Sequence, residues 1–202
     1  YSSKIVIDKF EISKNDLIVL LELIKKELFN LCDLKYEKDK LIHHKKFVKA
    51  LLGRPLNLRR ANIFTTNYDL AFEDTFDDLG VHYINGFCGF NSRYFKPEVY
   101  DFDMYHPGNT TEGKVRRVEK VLRYYKLHGS LTWVREIQDA NNIYGLRELP
   151  ISVIRNNIES KTPDISTGDL IIYPTSYKKG YTLDFPYSEL FRQFAVTIRQ
   201  QQ

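Results

Sequence analysis

Residues 62–84 read NIFTTNYDLAFEDTFDDLGVHYI and carry the pattern that decides the fold. The β-rich run Asn62 to Thr66 predicts a buried strand, and a helical segment with inward-facing apolar residues follows it as far as Leu79. Gly80 is suited to end that helix, and Val81 to Ile84 predicts a second strand. This β-α-β pattern is the unit of a parallel sheet with right-handed crossovers, so it favours an α/β fold.

Further elements are predicted on both sides of this unit. Ser13 is a good N-cap with Asp16 near capping-box spacing, and an apolar stripe of leucine and isoleucine predicts a helix as far as Leu31. The remaining predicted elements are a helix at about 38–52, a short helix after 115 that leads into a strand at 121–127, a short extension at 131–134, short strands at 151–154 and 169–173, and a helix beginning after Pro186. The stretch 85–113 is rich in Gly, Asn, Pro and aromatic residues, and we expect it to form a lid-like loop insertion.

Composition places the chain among soluble globular proteins. Of its 202 residues, 43% are hydrophobic and 28% are charged, which excludes a disordered, collagen-like or rod-like chain. A formal net charge of +4 is too small by itself to indicate a nucleic-acid-binding protein. Apolar runs are far shorter than the roughly 18 residues of a membrane span, so no membrane association is expected. Two cysteines exclude a disulfide scaffold and a four-cysteine zinc site, and they fit the cytoplasm.

The first segment whose side chains could take part in binding or catalysis is residues 65–69, which joins the predicted strand to the helix that follows. In open α/β sheets ligands bind beyond the carboxyl ends of the strands, where the free N–H groups of a helix start are also available. The Asn67 amide can both donate and accept hydrogen bonds, and the Asp69 carboxylate accepts them, which suits a ribose or a carboxamide. The alternative is that Asn67 or Asp69 simply caps the helix.

The second segment is KLHGSLTW at residues 126–133, which closes the predicted strand 121–127. His128 therefore lies at the same kind of strand end as Asn67, and histidine is the side chain best matched to general-base catalysis near neutral pH. Gly129 allows another group to approach closely. A structural histidine beside a turn is the alternative, and the residues alone leave both interpretations open.

Together the two segments resemble a known family. TTNYD at residues 65–69, followed downstream by LHGSL at 127–131, is similar to the sirtuin (SIR2) domain and in particular to the SIR2-like branch found in bacterial anti-phage defence proteins. GFCGF at residues 86–90 resembles the variable loop of that branch. The likeness extends from about Asn62 to Trp133.

The resemblance implies a Rossmann-like parallel sheet flanked by helices that binds NAD. It implies that Asn67 and His128 are catalytic at the nicotinamide ribose, and that the cofactor-binding residues are Thr66, Asn67, Asp69, Gly129 and Ser130. Members of the branch tend to hydrolyse NAD and so deplete the infected cell. The resemblance further implies a homo-oligomer that is switched on by a protein partner such as an ATPase, a helicase or a phage protein.

Three departures from the family pattern qualify the resemblance. Deacetylase sirtuins hold zinc with four cysteines, so two cysteines argue against zinc and against protein deacylation. No Gly-x-Gly phosphate loop occurs before Gly53, and the late glycine-serine strand that holds the adenosine is not found after the last helix. We therefore expect residues 1–202 to be a partial domain that holds the catalytic half of the pocket and is inactive alone.

Two basic clusters leave an alternative function open. One lies between Lys38 and Arg60 and the other between Lys114 and Lys126, and either could follow phosphates or form a solvated face. Nucleic-acid binding is therefore possible but not indicated by the sequence. The competing hypotheses are an NAD hydrolase, a non-catalytic module that binds nucleotide or nucleic acid, and an NAD-dependent protein deacylase. No histidine and cysteine spacing matches a metal site.

Overall fold

The computed structural model describes residues 5–7, 10–34, 38–55, 58–106, 116–160, 170–173, 180 and 182–200. Its strands are β1 (Ile5–Ile7), β2 (Phe10–Ile12), β3 (Asn62–Thr65), β4 (His82–Ile84), β5 (Phe87–Cys88), β6 (Arg93–Phe95), β7 (Tyr105–His106), β8 (Arg116–Arg117), β9 (Val121–Lys126), β10 (Trp133–Arg135) and β11 (Leu146–Glu148). Its helices are α1 (Lys14–Cys32), α2 (Ile42–Leu52), α3 (Ala71–Leu79), α4 (Ile151–Glu159) and α5 (Tyr187–Arg199), with 3-10 helices at Lys38–Leu41 and Pro97–Asp101. Within these ranges, none of the helices has the length and apolar character needed to cross a membrane.

A parallel sheet in the order β3-β9-β4 forms the centre of the molecule. The central strand β9 is buried along almost its whole length, as expected for a parallel strand covered on both faces. Its side chains alternate between the two faces: Leu122 and Tyr124 pack with Phe76 of α3, while Tyr125 stacks on Phe64 of β3 with ring centroids 4.3 Å apart. The predicted β-α-β unit and the α/β fold class are confirmed.

Helices cover both faces of this sheet. Val48 of α2 and Phe76 of α3 are fully buried against one face, where they join Ile63 and Leu122. Leu190 of α5 is fully buried against the other. The result is the Rossmann-like three-layer arrangement that the sequence predicts.

A second, antiparallel sheet in the order β10-β11-β6-β5 packs beside the first. Its aromatic side chains pack together, since the Trp133 ring of β10 lies 5.4 Å from that of Phe87 and 6.4 Å from that of Phe95, measured between centroids. These residues share a core cluster with Ile84 of β4 and Tyr125 of β9, which joins the two sheets. The strands β5, β6 and β7 lie within the stretch 85–113, for which no strands were predicted. Residues 107–113 of that stretch lie outside the described residues.

Three local predictions are corrected by the structure. The apolar run at 151–154 is the start of α4 rather than a strand, because Ile151, Ile154 and Ile158 recur at helical spacing after Pro150. Residues 116–120 form β8 and a turn, not the short helix expected after 115. In the predicted strand 169–173, residues 170–173 contain only a single β-bridge, from Ile171 to Gly129, and residue 169 lies outside the described residues.

Helix α1 begins as predicted, with Ser13 and Asp16 forming a capping box. An apolar stripe normally faces the core, but this one is largely exposed, since Leu20 and Ile24 are each 46% exposed. The helix is attached near its C-terminal end instead, where Phe29 packs with Leu131 and Ile154.

Candidate functional site

The loop after β3 is ordered by its own side chains. Thr65 Oγ1 accepts a hydrogen bond from the Asn67 N–H at 3.1 Å, and Asp69 Oδ1 accepts one from the Ala71 N–H at 2.9 Å. The Asp69 carboxylate therefore forms a local turn just before α3, whose N-cap residue is Leu70 and carries no side-chain cap hydrogen bond, so neither Asn67 nor Asp69 is the N-cap residue. Thr66 and Asn67 are exposed, so their polar groups can be reached by a ligand.

His128 lies in the loop after β9 and is half-buried. The imidazole lies 6.4 Å from the Phe191 ring of α5, measured between centroids. The backbone is held in place because the His128 carbonyl accepts a hydrogen bond from the Ile172 N–H at 2.9 Å. His128 is thus presented from an anchored backbone and retains access to solvent.

Gly129 and Ser130 have well-defined local roles. Gly129 adopts φ +92°, and a Cβ built there would lie 1.8 Å from the Leu170 carbonyl oxygen. The glycine predicted that another group approaches closely at this position, and that group is the backbone of Leu170. The Ser130 side chain is buried, and its hydroxyl lies 3.0 Å from the Thr132 hydroxyl. The assignment of both residues to NAD binding stays a prediction, since these contacts are all within the protein.

Direct hydrogen bonds join the two strand-end loops. The Leu127 N–H donates to the Thr65 carbonyl at 2.8 Å, and the Leu131 N–H donates to the Tyr68 carbonyl at 3.0 Å. Because β3 and β9 are adjacent and parallel, Asn67 and His128 lie beyond the carboxyl ends of neighbouring strands, at the same edge of the sheet. The structure therefore brings together the two segments that the sequence singled out.

Sequence reasoning missed a buried lysine beneath this edge. The Lys126 ammonium hydrogen bonds to the Asp69 carbonyl oxygen and forms an ion pair with Glu73 at 2.8 Å. The Tyr124 hydroxyl also donates to Glu73, at 3.2 Å. The signal was present in the sequence, since Lys126 interrupts an otherwise apolar strand end, but it was assigned to a basic surface cluster. Its effect is to tie the strand-end loop to the start of α3.

An acidic cavity of ≈ 260 Å³ adjoins the site. It is lined by Glu73, Asp74 and Asp77 of α3 and by Glu148 of β11, but not by Asn67 or His128. Burial, reinforced by the neighbouring charges of Glu73 and Asp77, raises the pKa of Asp74 to about 6. The acidic side chains of α3 thus face the protein as well as solvent, which their spacing in the sequence did not reveal.

The Glu148 side chain is buried to the same degree as that of Glu73, at 16% and 15% exposure. Burial raises the pKa of Glu148, although the nearby Arg93 guanidinium and a hydrogen bond from the Asn85 amide act in the opposite direction. The Glu148 oxygens accept hydrogen bonds from Asn85 Nδ2 at 3.1 and 3.2 Å, and Arg93 Nε lies 2.9 Å away. Among the residues that the structure describes, no three histidine, cysteine, aspartate or glutamate side chains are grouped so as to hold a metal ion.

The fold and the site define a Rossmann-like α/β domain whose polar loops meet at the carboxyl edge of a parallel sheet. The family model for the SIR2-like domain matches residues 61–197, which run from just before β3 to near the end of α5 and include both Asn67 and His128. The chain therefore belongs to the SIR2-like domain family. SIR2-like domains bind NAD, and the family includes NAD-dependent enzymes. No curated protein matches the chain.

Proposed function

We propose that this protein hydrolyses NAD by cleaving the bond between nicotinamide and ribose. The observation that carries the proposal is the position of Asn67 and His128 beyond the ends of adjacent parallel strands, inside the region that matches the SIR2-like domain. An exposed amide and a partly exposed imidazole fit a ligand rich in hydroxyl and carboxamide groups. The same edge is where nucleotides bind in open α/β sheets.

The proposed chemistry needs few protein groups. Water adds to the ribose carbon, the bond to nicotinamide breaks with its electron pair going to the nicotinamide nitrogen, and a proton is released, giving nicotinamide and ADP-ribose. His128 accepts the proton from the attacking water or from a ribose hydroxyl, and Asn67 orients the ribose hydroxyls or the water. Holding these groups in place can lower the barrier by roughly 7–11 kcal/mol.

Asp69 has room for a second role in this scheme. Its Oδ1 accepts the Ala71 N–H, and a carboxylate has further acceptor positions that could receive the N–H groups of the nicotinamide carboxamide. Thr66 lies exposed beside it. These residues would hold the nicotinamide end while His128 acts on the ribose.

Nicotinamide release by the intact protein tests the proposal. His128→Ala and Asn67→Ala should each lower turnover at least about a hundredfold, since removing a general base or a positioning group has effects of that size. His82→Ala is the matched control, because His82 is an exposed histidine on β4. Undiminished turnover in both site variants would refute these roles. Turnover of an acetylated peptide would instead identify a protein deacylase.

We further propose that NAD hydrolysis makes the protein an effector of bacterial anti-phage defence in the cytoplasm. In this scheme a homo-oligomer is activated by a partner such as an ATPase, a helicase or a phage protein, and infected cells lose their NAD. The resemblance of the motifs at residues 65–69 and 127–131 to the defence branch of the family supports this context. Cells carrying the intact system should lose NAD after infection, whereas cells carrying His128→Ala should keep it.

A further inference from the structure

A groove rich in arginine lies at the opposite edge of the parallel sheet from Asn67 and His128. Two adjoining cavities of ≈ 190 and ≈ 160 Å³ share Arg59 and Arg60 as lining residues. Arg60 comes just before β3 and the segment 116–120 just before β9, so both segments lie where the parallel strands begin. The arginine side chains that line the groove are Arg54, Arg59, Arg60, Arg116, Arg117 and Arg123. We call this surface the arginine groove.

The groove unites residues from the two basic clusters of the sequence. Arg54, Arg59 and Arg60 belong to the first cluster, while Arg116, Arg117 and Arg123 belong to the second. Among the described residues that line the two cavities, the acidic ones are Glu119 and Asp101, and Glu119 pairs with Arg116 at 2.8 Å. Together with Asp103, which pairs with Arg60 and Arg117, three carboxylates stand against six arginines, so the groove stays net positive although the chain as a whole is only mildly basic.

Several of these arginines are held by main-chain carbonyl groups. Arg123 Nε donates to the Tyr100 carbonyl at 2.7 Å and Nη2 to the Phe102 carbonyl at 3.2 Å. Arg59 Nη1 donates to the Gln200 carbonyl at 3.1 Å. A neutral carbonyl orders a guanidinium without cancelling its charge, so these side chains are positioned and remain cationic.

Asp103 holds two of the groove's arginines in place. It forms ion pairs with Arg60 and, at 3.0 Å, with Arg117. Burial alone would raise the pKa of Asp103, but hydrogen bonds from the Met104 N–H and Arg60 and the charges of both arginines lower it overall. One carboxylate is thus shared by two guanidinium groups. Arg60 is only 3% exposed, whereas Arg117 is 35% exposed and accessible to solvent.

We propose that the arginine groove binds the sugar–phosphate backbone of a nucleic acid. Guanidinium groups match phosphate oxygens in geometry and charge, and arginine is favoured wherever phosphates are recognised. A row of arginines across two adjoining cavities suits successive phosphates along a chain better than one small anion. Because the groove lies at the other edge of the sheet, such binding is separate from the proposed NAD chemistry.

Binding of fluorescently labelled single-stranded DNA and RNA of mixed sequence to the intact protein tests the proposal. A triple variant, Arg54→Gln with Arg59→Gln and Arg116→Gln, should weaken binding at least about tenfold and make the salt dependence of log Kd shallower. The matched control is Lys14→Gln with Lys26→Gln and Arg135→Gln, which removes the same charge from exposed positions outside the groove. The control should change Kd less than about twofold.

Further measurements distinguish nucleic-acid binding from misfolding, from a net-charge effect and from general anion binding. Circular dichroism melting should show that the groove variant folds like wild type, and nicotinamide release should be unchanged in it. Equal weakening by the groove and control variants would show a net-charge effect and overturn the proposal. Displacement of the oligonucleotide by inorganic pyrophosphate or by polyglutamate at equal charge concentration would also overturn it, since the groove would then bind anions in general.

Discussion

At the scale of single residues, Gly129 has a conformation that only glycine tolerates well. A Cβ at this φ of +92° would collide with the Leu170 carbonyl oxygen, which belongs to the backbone and cannot move aside easily. Gly129→Ala should therefore lower the free energy of unfolding by about 2 kcal/mol or more, measured by urea denaturation. Gly53→Ala is the control, because a Cβ there meets nothing closer than 3.5 Å. Equal stability of the two variants would contradict the close approach of the Leu170 carbonyl to Gly129.

Asp74 should make stability depend on pH. In the folded protein the pKa of Asp74 is about 6, above the ordinary value of 3.8, because burial and the charges of Glu73 and Asp77 disfavour the ionised carboxylate. Between these two values the folded state binds more protons than the unfolded chain, so the free energy of unfolding falls as the pH rises through that window.

Asp74→Asn should accordingly stabilise the protein near pH 7.5 and have little effect near pH 4. The expected gain is about 1 kcal/mol, since the side chain is partly exposed and solvent screens its repulsion. Urea denaturation at the two pH values measures it, with Asp39→Asn as the control at an exposed carboxylate. A gain of equal size at both pH values would show that the cost of burying the ionised carboxylate beside Glu73 and Asp77 is not the cause.

At the scale of elements, two variants of Asp69, just before α3, distinguish its structural hydrogen bond from its proposed contact with nicotinamide. Asp69→Ala removes the acceptor for the Ala71 N–H and should cost about 1 kcal/mol of stability, whereas Asp69→Asn keeps an acceptor and should cost only a few tenths. Thermal unfolding of both variants measures the contribution of this hydrogen bond. If Asp69 also holds the nicotinamide carboxamide, Asp69→Asn should still lower NAD turnover. Full turnover in Asp69→Asn would leave the residue with its structural role alone.

The strands and helices show what a sequence pattern can and cannot predict. The elements β3, α3, β4 and β9 are set by local signals, since an apolar run or a helical stripe ends at a glycine or a polar loop, and all four were predicted. The run at 151–154 taken by itself fits a strand or a helix equally well, and the helical spacing shows only when the pattern is followed as far as Ile158. Strand β6 pairs with β11, more than fifty residues later, and no local pattern reveals that partner. Strand β5 pairs with the nearby β6, but strands of two and three residues are too short to show an alternating pattern.

The candidate site follows the same division. The positions of Asn67 and His128 at one edge follow from parallel pairing, which the β-α-β pattern predicts. The ion pair of Lys126 with Glu73 and the acidic cavity join residues more than fifty positions apart, so only the folded chain shows them. The same holds for the arginine groove, whose two segments meet through the pairing of β3 with β9.

At the scale of the whole molecule, α1 lies before the region that matches the SIR2-like domain, yet it is fastened to that region. Phe29 packs among apolar residues of the domain, including Leu131 and Ile154. Beside it the Asp33 carboxylate, which is 3% exposed, accepts hydrogen bonds from Arg155 Nε at 2.8 Å and Nη2 at 2.7 Å. The rest of the helix exposes much of its apolar surface, so this attachment decides whether α1 stays on the domain.

Arg155→Met should therefore release α1 as well as destabilise the protein. Removing two hydrogen bonds from a buried carboxylate should cost about 3 kcal/mol, at the low end for buried pairs because Arg155 is 27% exposed. Hydrogen exchange should speed up through α1 while β9 stays protected, since the parallel sheet has its own core. Arg192→Met is the matched control, because Arg192 pairs with Glu189 on the surface and its loss should cost less than about 0.5 kcal/mol. Equal effects of the two variants, or exchange in α1 unchanged by Arg155→Met, would mean that Phe29 and its apolar neighbours hold the helix without this ion pair.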